Sequence, residues 1–346
     1  AKVWVSLYPY SLVIIHTSQA SNIQFGENSF VAGDSLIAIG DYAKAEGTYS
    51  TAIGASSKAL SLSSTAIGGS ASATGDNSIA LGSRAITNDD SSSAIGAASQ
   101  TEGSYTTAVG TNSKARGESS SSLGTESLSQ GSRATSIGSY SKAEGEGTSS
   151  LGSEANAQGN NASAIGVNSE AQGENASSLG AFSKAKGQNT TAIGTGALAN
   201  VENSTAIGAS SKATFDDSIA IGASSETDRE NSVSFGKKEN ERQLTHVAEG
   251  TELTDAVNLG QLKEEGKKVL ADANSYTDSK FQQSEKALDD AKIELNTNID
   301  KSAKKTLNDS KNYTDFRFDQ IQGQNNVRFG SMDKKIDRIA KQSDAV

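Results

Sequence analysis

From residue 26 to residue 236 an apolar residue followed by glycine recurs every 14 positions without a miss, from Phe25-Gly26 to Phe235-Gly236. Ile53-Gly54, Leu81-Gly82, Ile165-Gly166, Ile207-Gly208 and Ile221-Gly222 are typical steps. Within a unit such as 161–174 the residues before the glycine alternate with period two, the signature of a strand. Ser163 and Ile165 share one face, Ala162 and Ala164 the other. The third position before the glycine is openly apolar in places (Ile37, Ile79, Ile219, Val233), which predicts that the Ile165 face is interior. After the glycine, small residues flank a polar one: Ser169 and Ala171 read as inward. The position between them, often Lys (Lys44, Lys58, Lys114, Lys142, Lys184, Lys212), reads as outward. A second glycine often falls at half-period, as at Gly47, Gly103, Gly159 and Gly173, where a turn needs φ > 0 or a close backbone approach.

Each unit is therefore two short strands and two turns, and stacked units make a parallel β-solenoid. About fifteen coils at ~4.8 Å give a rod of about 70 Å. One coil buries an Ile and a few Ala or Ser side chains, a thin gain against a backbone ordering cost of about 1–2 kcal/mol per residue. Association of several rods through their small-residue faces would cure this. The residues give the need for partners, not their number.

At residue 237 the period breaks and helical spacing follows. Asn258 with Gln261 resembles a capping box and predicts a helix start near Leu259. Leu262, Val269, Ala273 and Tyr276 follow a heptad-like seam, as do Phe281, Leu288, Ala291 and Leu295. Ile299, Ala303 and Leu307 step by four, and Met332, Ile336 and Ile339 resume a 4-3 spacing. Gly323 and Asn325-Asn326 are expected to loosen the coil between them. About 85 residues of such helix extend on the order of 130 Å.

Composition narrows the chemistry. There is no Cys, and only two His, one Met, one Trp and one Pro in 346 residues. That excludes disulfides, thiolate metal sites and cysteine nucleophiles. An apolar fraction of 34% is low for a rounded core, but the strict period argues against disorder. Residues 23–236 carry 11 Lys/Arg against 21 Asp/Glu, and residues 237–346 carry 19 against 20. The acidic repeat region disfavours nucleic acid or anionic lipid as partners. No run approaches the roughly 18 apolar residues of a membrane-spanning helix.

Nothing supports an active site, a metal or a cofactor. Asp89-Asp90 and Asp216-Asp217 lack a His or basic partner in motif spacing and read as turn residues. His246 reads as an exposed or satisfied residue, with a pH switch or metal ligand as the sharper alternative. The Lys column reads as a solvated strand face rather than a stripe for acidic ligands. The mixed Ser/Thr columns lack the regular ladder of an ice-binding face, and the GGxGxD calcium motif is absent.

Three stretches carry a family resemblance. Asn77–Gly82 (NSIALG), Asn203–Gly208 (NSTAIG) and Asp217–Gly222 (DSIAIG) match a head motif NSxAIG. His246–Lys263 (HVAEGTELTDAVNLGQLK) follows a neck motif nearly throughout, with His246 where Asn is common. Tyr276-Thr277-Asp278 and Tyr313-Thr314-Asp315 are similar to stalk motifs. The chain resembles the YadA-like trimeric autotransporter adhesins over about residues 23–340.

The resemblance implies an all-β head plus α stalk: a left-handed parallel β-roll of 14-residue repeats, homotrimeric, followed by a neck and a trimeric coiled coil. The corresponding parts are a β-roll head at 23–236, a neck at 237–262 with His246, Gly250, Asp255, Asn258, Gly260 and Gln261, and a stalk at 263–346. It further implies display at the surface of a Gram-negative bacterium, projecting from an outer-membrane barrel anchor expected beyond Val346. Residues 1–22 fit neither part. They read either as a signal-peptide remnant cleaved after Ala20 or as a strand capping the roll.

The implied function is non-enzymatic adhesion to host extracellular matrix, collagen first, fibronectin or laminin next. The implied ligand contacts are Asn77, Ser78, Asn203, Ser204, Asp217 and Ser218. Self-association between cells, serum-protein capture by the stalk, and a phage-type trimeric fibre stand as alternatives.

Overall fold

The computed structural model describes residues 2–7, 10–17 and 20–343, with side chains from residue 22 onward. It divides into two compact units, Ala1–Gln243 and Leu244–Val346.

In the first unit, strands of three residues precede the repeat glycines and strands of two residues follow them, as at Ser163–Ile165 and Glu170–Ala171. Each strand pairs in parallel with the strand one repeat on. Ser163, Ala164 and Ile165 pair with Ser177, Ser178 and Leu179, and Glu170 and Ala171 pair with Lys184 and Ala185. Among the described residues the three-residue strands belong to a sheet of 18 and the two-residue strands to a sheet of 14. The result is a parallel β-solenoid of 14-residue coils.

Its N-terminal edge is covered by an antiparallel meander of β1 (Lys2–Leu7), β2 (Tyr10–Thr17) and β3 (Ala20–Phe25). Strand β3 then pairs in parallel with Ile37–Ile39 of the first coil. Residues 18 and 19, beside the expected cleavage position, lie outside the described residues.

The core reverses one expectation. Ala162, Ala164, Ser169 and Ala171 are fully buried, whereas Ile165 points outward at 37% exposure. Leu81 and Ile207 are likewise exposed, and Ile53 and Ile221 half-buried. The Ile165 face is therefore the outer face of the sheet, not the interior. The physical reason is thickness: past the first coil, where Leu36 lies inside, the side chains fully buried between the two sheets are Ala, Ser and Thr. Leu36 is the largest side chain fully buried. A branched side chain before the glycine cannot fit between the sheets, so the pleat turns Ala164 inward and Ile165 outward.

Two glycines show why the period cannot slip. Gly166 holds φ +131, and a Cβ there would lie 2.5 Å from the Gly180 carbonyl oxygen. Gly173, at half-period, has no such φ, but a Cβ would lie 1.9 Å from the Gly187 carbonyl oxygen. The first position needs the left-handed conformation and both need close approach of stacked backbones.

The second unit opens with a turn at 250–258 and continues as α1 (Leu259–Ser343), a single helix of 85 residues. It begins where Asn258 and Gln261 predict. Gln261 N–H donates to Asn258 Oδ1 at 2.9 Å, and Asn258 N–H donates to Gln261 Oε1 at 3.4 Å. The helix runs unbroken through Gly323, Asn325 and Asn326, which do not interrupt its backbone. It buries no residue: Leu262, Val269, Leu288, Ile299, Leu307 and Ile336 are all exposed. Such a helix has little reason to persist alone in water. Among the described residues no helix is long and apolar enough to cross a membrane.

Candidate functional site: the outer surface of the roll

The corners of each coil carry the surface chemistry. Two residues after the repeat glycine and again nine residues after it, the backbone enters the left-handed region, as at Asn168 (φ 53) and Asn175 (φ 56). Asn tolerates this conformation because its short side chain bonds locally.

At the second corner the amides form a ladder. Asn161 Nδ2 donates to Asn175 Oδ1 (3.5 Å), Asn175 to Asn189 (3.2 Å), Asn189 to Asn203 (3.2 Å) and Asn203 to Asp217 Oδ1 (3.0 Å). Two of the expected ligand contacts, Asn203 and Asp217, thus end a continuous polar column. Asn77 is exposed at the same corner nine coils earlier.

The serines beside them are placed differently. Ser78, Ser204 and Ser218 are fully buried. Ser78 Oγ donates to the Gly75 carbonyl at 2.6 Å, Ser204 Oγ to Val201 at 2.7 Å and Ser218 Oγ to Phe215 at 2.5 Å. These hydroxyls close the turn from inside and present nothing to a ligand, so of each expected pair only the Asn or Asp is available. Periodicity carried the signal for this, since the serine lies on the Ala164 side of the pleat.

The roll ends at a residue that sequence reasoning missed. Arg242 Nη2 donates at 2.6 Å to the Ala223 carbonyl, which has no further coil to bond, and Nη1 donates to Ser225 Oγ at 3.2 Å. No spacing rule marks such a contact.

In the neck, Asp255 Oδ2 accepts from the backbone N–H of Thr251 (2.9 Å) and Glu252 (3.0 Å). The Thr251 N–H bond, then that from Glu252, holds the carboxyl below the usual aspartate range. Gln261 reaches back to Gly250, with its Oε1 accepting from Gly250 N–H and its Nε2 donating to Gly250 O, both at 2.9 Å. Asn258 Nδ2 donates to the Val247 carbonyl at 3.2 Å. Gly260 lies in the first helical turn, its Cα side facing Asn258 Oδ1. His246 is exposed, in the left-handed region, with Nδ1 3.3 Å from Thr245 Oγ1.

Comparison with known proteins matches both parts. The YadA head domain repeat matches residues 37–57, 59–85, 90–113, 115–141, 143–169, 171–197, 202–225 and 216–238, more than half the chain. The coiled stalk of trimeric autotransporter adhesins matches residues 243–285. The chain belongs to the YadA-like trimeric autotransporter adhesins.

This adhesin is also 33% identical to the protein in a solved structure described as the collagen-binding domain of the Yersinia adhesin YadA. That match covers 56% of the adhesin and 85% of the solved chain, with a TM-score of 0.25. No curated protein matches the adhesin. Family membership makes the adhesin a non-enzymatic attachment protein of a surface-displayed class.

Proposed function

We propose that this adhesin assembles as a homotrimer at the surface of a Gram-negative bacterium and binds host extracellular matrix, collagen first. The head at 23–236, neck at 237–262 and stalk at 263–346 are its working parts, and Asn77, Asn203 and Asp217 its ligand contacts. The observation that carries the reading is the outward apolar column of Leu151, Ile165, Leu179, Ile193 and Ile207, exposed on a roll whose interior has no room for it. An apolar column of this kind is a docking face for a like copy. The exposed apolar residues of α1 make the same demand, and the family supplies the number three.

With those faces covered, the amide column from Asn161 to Asp217 offers donors and acceptors at the coil spacing. Collagen winds three extended chains into a triple helix, and the carbonyls on its surface are able to accept from such a column. Individual contacts are weak, and three copies raise attachment by avidity.

The test is binding of the full chain to immobilised collagens, fibronectin and laminin, with mass determined by sedimentation. Saturable collagen binding by a species of three chains is expected, weakened in the combined variant Asn189→Ala/Asn203→Ala. A single-chain species, or binding to none of these proteins, would overturn the reading.

A further inference from the structure

We propose that Tyr140, Lys142, Glu154, Asn156 and Asn168 form a binding site for a neutral saccharide unit, a hexose or an N-acetylhexosamine. They line a depression of about 420 Å³ on the sheet of two-residue strands and its adjoining corner. That is a different face from the apolar column, whose side chains project from the sheet of three-residue strands. The site is also separate from the Asn ladder proposed for matrix binding.

Three successive coils build it. Tyr140 (φ 60), Glu154 (φ 58) and Asn168 (φ 53) occupy the same left-handed corner in consecutive repeats. Lys142 and Asn156 are register partners on adjacent strands. Tyr140 is 49% exposed and offers a ring face. A sugar ring stacks its apolar C–H side on such a face, while its hydroxyls need neighbours that both donate and accept. Lys142 donates, Glu154 accepts, and the two asparagines do either.

Unused bonding capacity separates this site from its repeats. Tyr42-Ala43-Lys44 and Phe182-Ser183-Lys184 place an aromatic ring and a lysine at the same two positions. Lys44, however, is paired with Glu46 at 3.1 Å and lies over the Phe30 ring, and Lys184 is paired with Glu170 at 3.0 Å. Where Glu154 stands, those coils have Ser56 and Gly196. Among the described residues the side chains of Lys142 and Glu154 have no ion pair. Asn156 Oδ1 is covered and has no hydrogen-bond partner, which is unfavourable for a buried acceptor. The other unpartnered buried atoms are core hydroxyls of Ser and Thr; this one is an amide on the outer face. A ligand hydroxyl or acetamido N–H would satisfy it once the side chains that cover it shift, as the unpaired Lys142 and Glu154 side chains are free to do.

Saturation-transfer NMR on the full chain tests this, with methyl β-D-galactopyranoside and methyl N-acetyl-β-D-glucosaminide as probes. Transfer to ring protons of at least one sugar is expected, weaker by about fivefold in Tyr140→Asn, which keeps a left-handed-tolerant residue at the corner. Tyr42→Asn should leave the signal unchanged. Asn156→Leu should reduce it, and decides the matter should Tyr140→Asn fail to fold by circular dichroism. No transfer from either sugar would overturn the proposal. So would a signal that survives in the folded variants, or one lost equally in Tyr42→Asn. Collagen binding by Tyr140→Asn should equal that of the parent, so the two proposals fail separately.

Discussion

The Asn189 side-chain amide donates to the Asn203 side-chain carbonyl at 3.2 Å, across one coil, with both residues held at φ 53. The link adds a side-chain tie to two corners that the Asn203 N–H already joins by donating to the Gln188 carbonyl at 3.0 Å, and rewards the residue type that best accepts the left-handed backbone. Asn189→Ala removes both contributions. We expect it to lower head stability by about 1–2 kcal/mol, read from the denaturant midpoint by far-ultraviolet circular dichroism. Asn189→Gly, which keeps the backbone freedom, should cost less. Coincident transitions for parent and Asn189→Ala would count against the ladder.

Ala164 and Ile165 are neighbours in sequence with opposite fates, one at full burial and the other at the surface of the chain. Ala164→Leu overfills a space bounded by two sheets, and we expect a loss of about 1–3 kcal/mol or more, with reduced β signal. Ile165→Leu keeps volume on the outer face and should leave the coil intact. Similar melting of the two variants would contradict the placement of the core.

Asp255 gives the neck a pH dependence with a definite sign. Its folded-state pKa is lowered from 3.8 chiefly by the backbone N–H of Thr251 and then that of Glu252, so the ionised form is favoured by the fold. The stabilisation is fully present above the ordinary aspartate value. It fades as pH falls below about 4 and through the lowered value. Amide exchange of the 247–258 segment, corrected for intrinsic rates, should speed up over that window and lose its pH dependence in Asp255→Asn. Protection that is flat in the parent would remove Asp255 from this role.

Much of this architecture was legible along the chain because it is periodic. A glycine every 14 residues leaves one way to stack backbones at close approach, and reciprocal Asn258 and Gln261 mark where the helix starts. The helix start is settled within one turn, and the glycine spacing repeats the same contact between each coil and the next.

What only the tertiary structure decided depends on distances between strands that no single unit contains. The gap between the two sheets excludes Ile165 from the interior and draws in Ser78, Ser204 and Ser218, although hydrophobicity alone ranks them the other way. Arg242 meets Ala223 and Ser225 from 19 and 17 residues away. Tyr140, Glu154 and Asn168 share a depression because coils stack in register, and Asn156 is left unpaired there because no neighbour in the stack reaches its oxygen. Sequence spacing sets the repeat; the thickness and stacking of the roll select which side chains are buried and which face solvent.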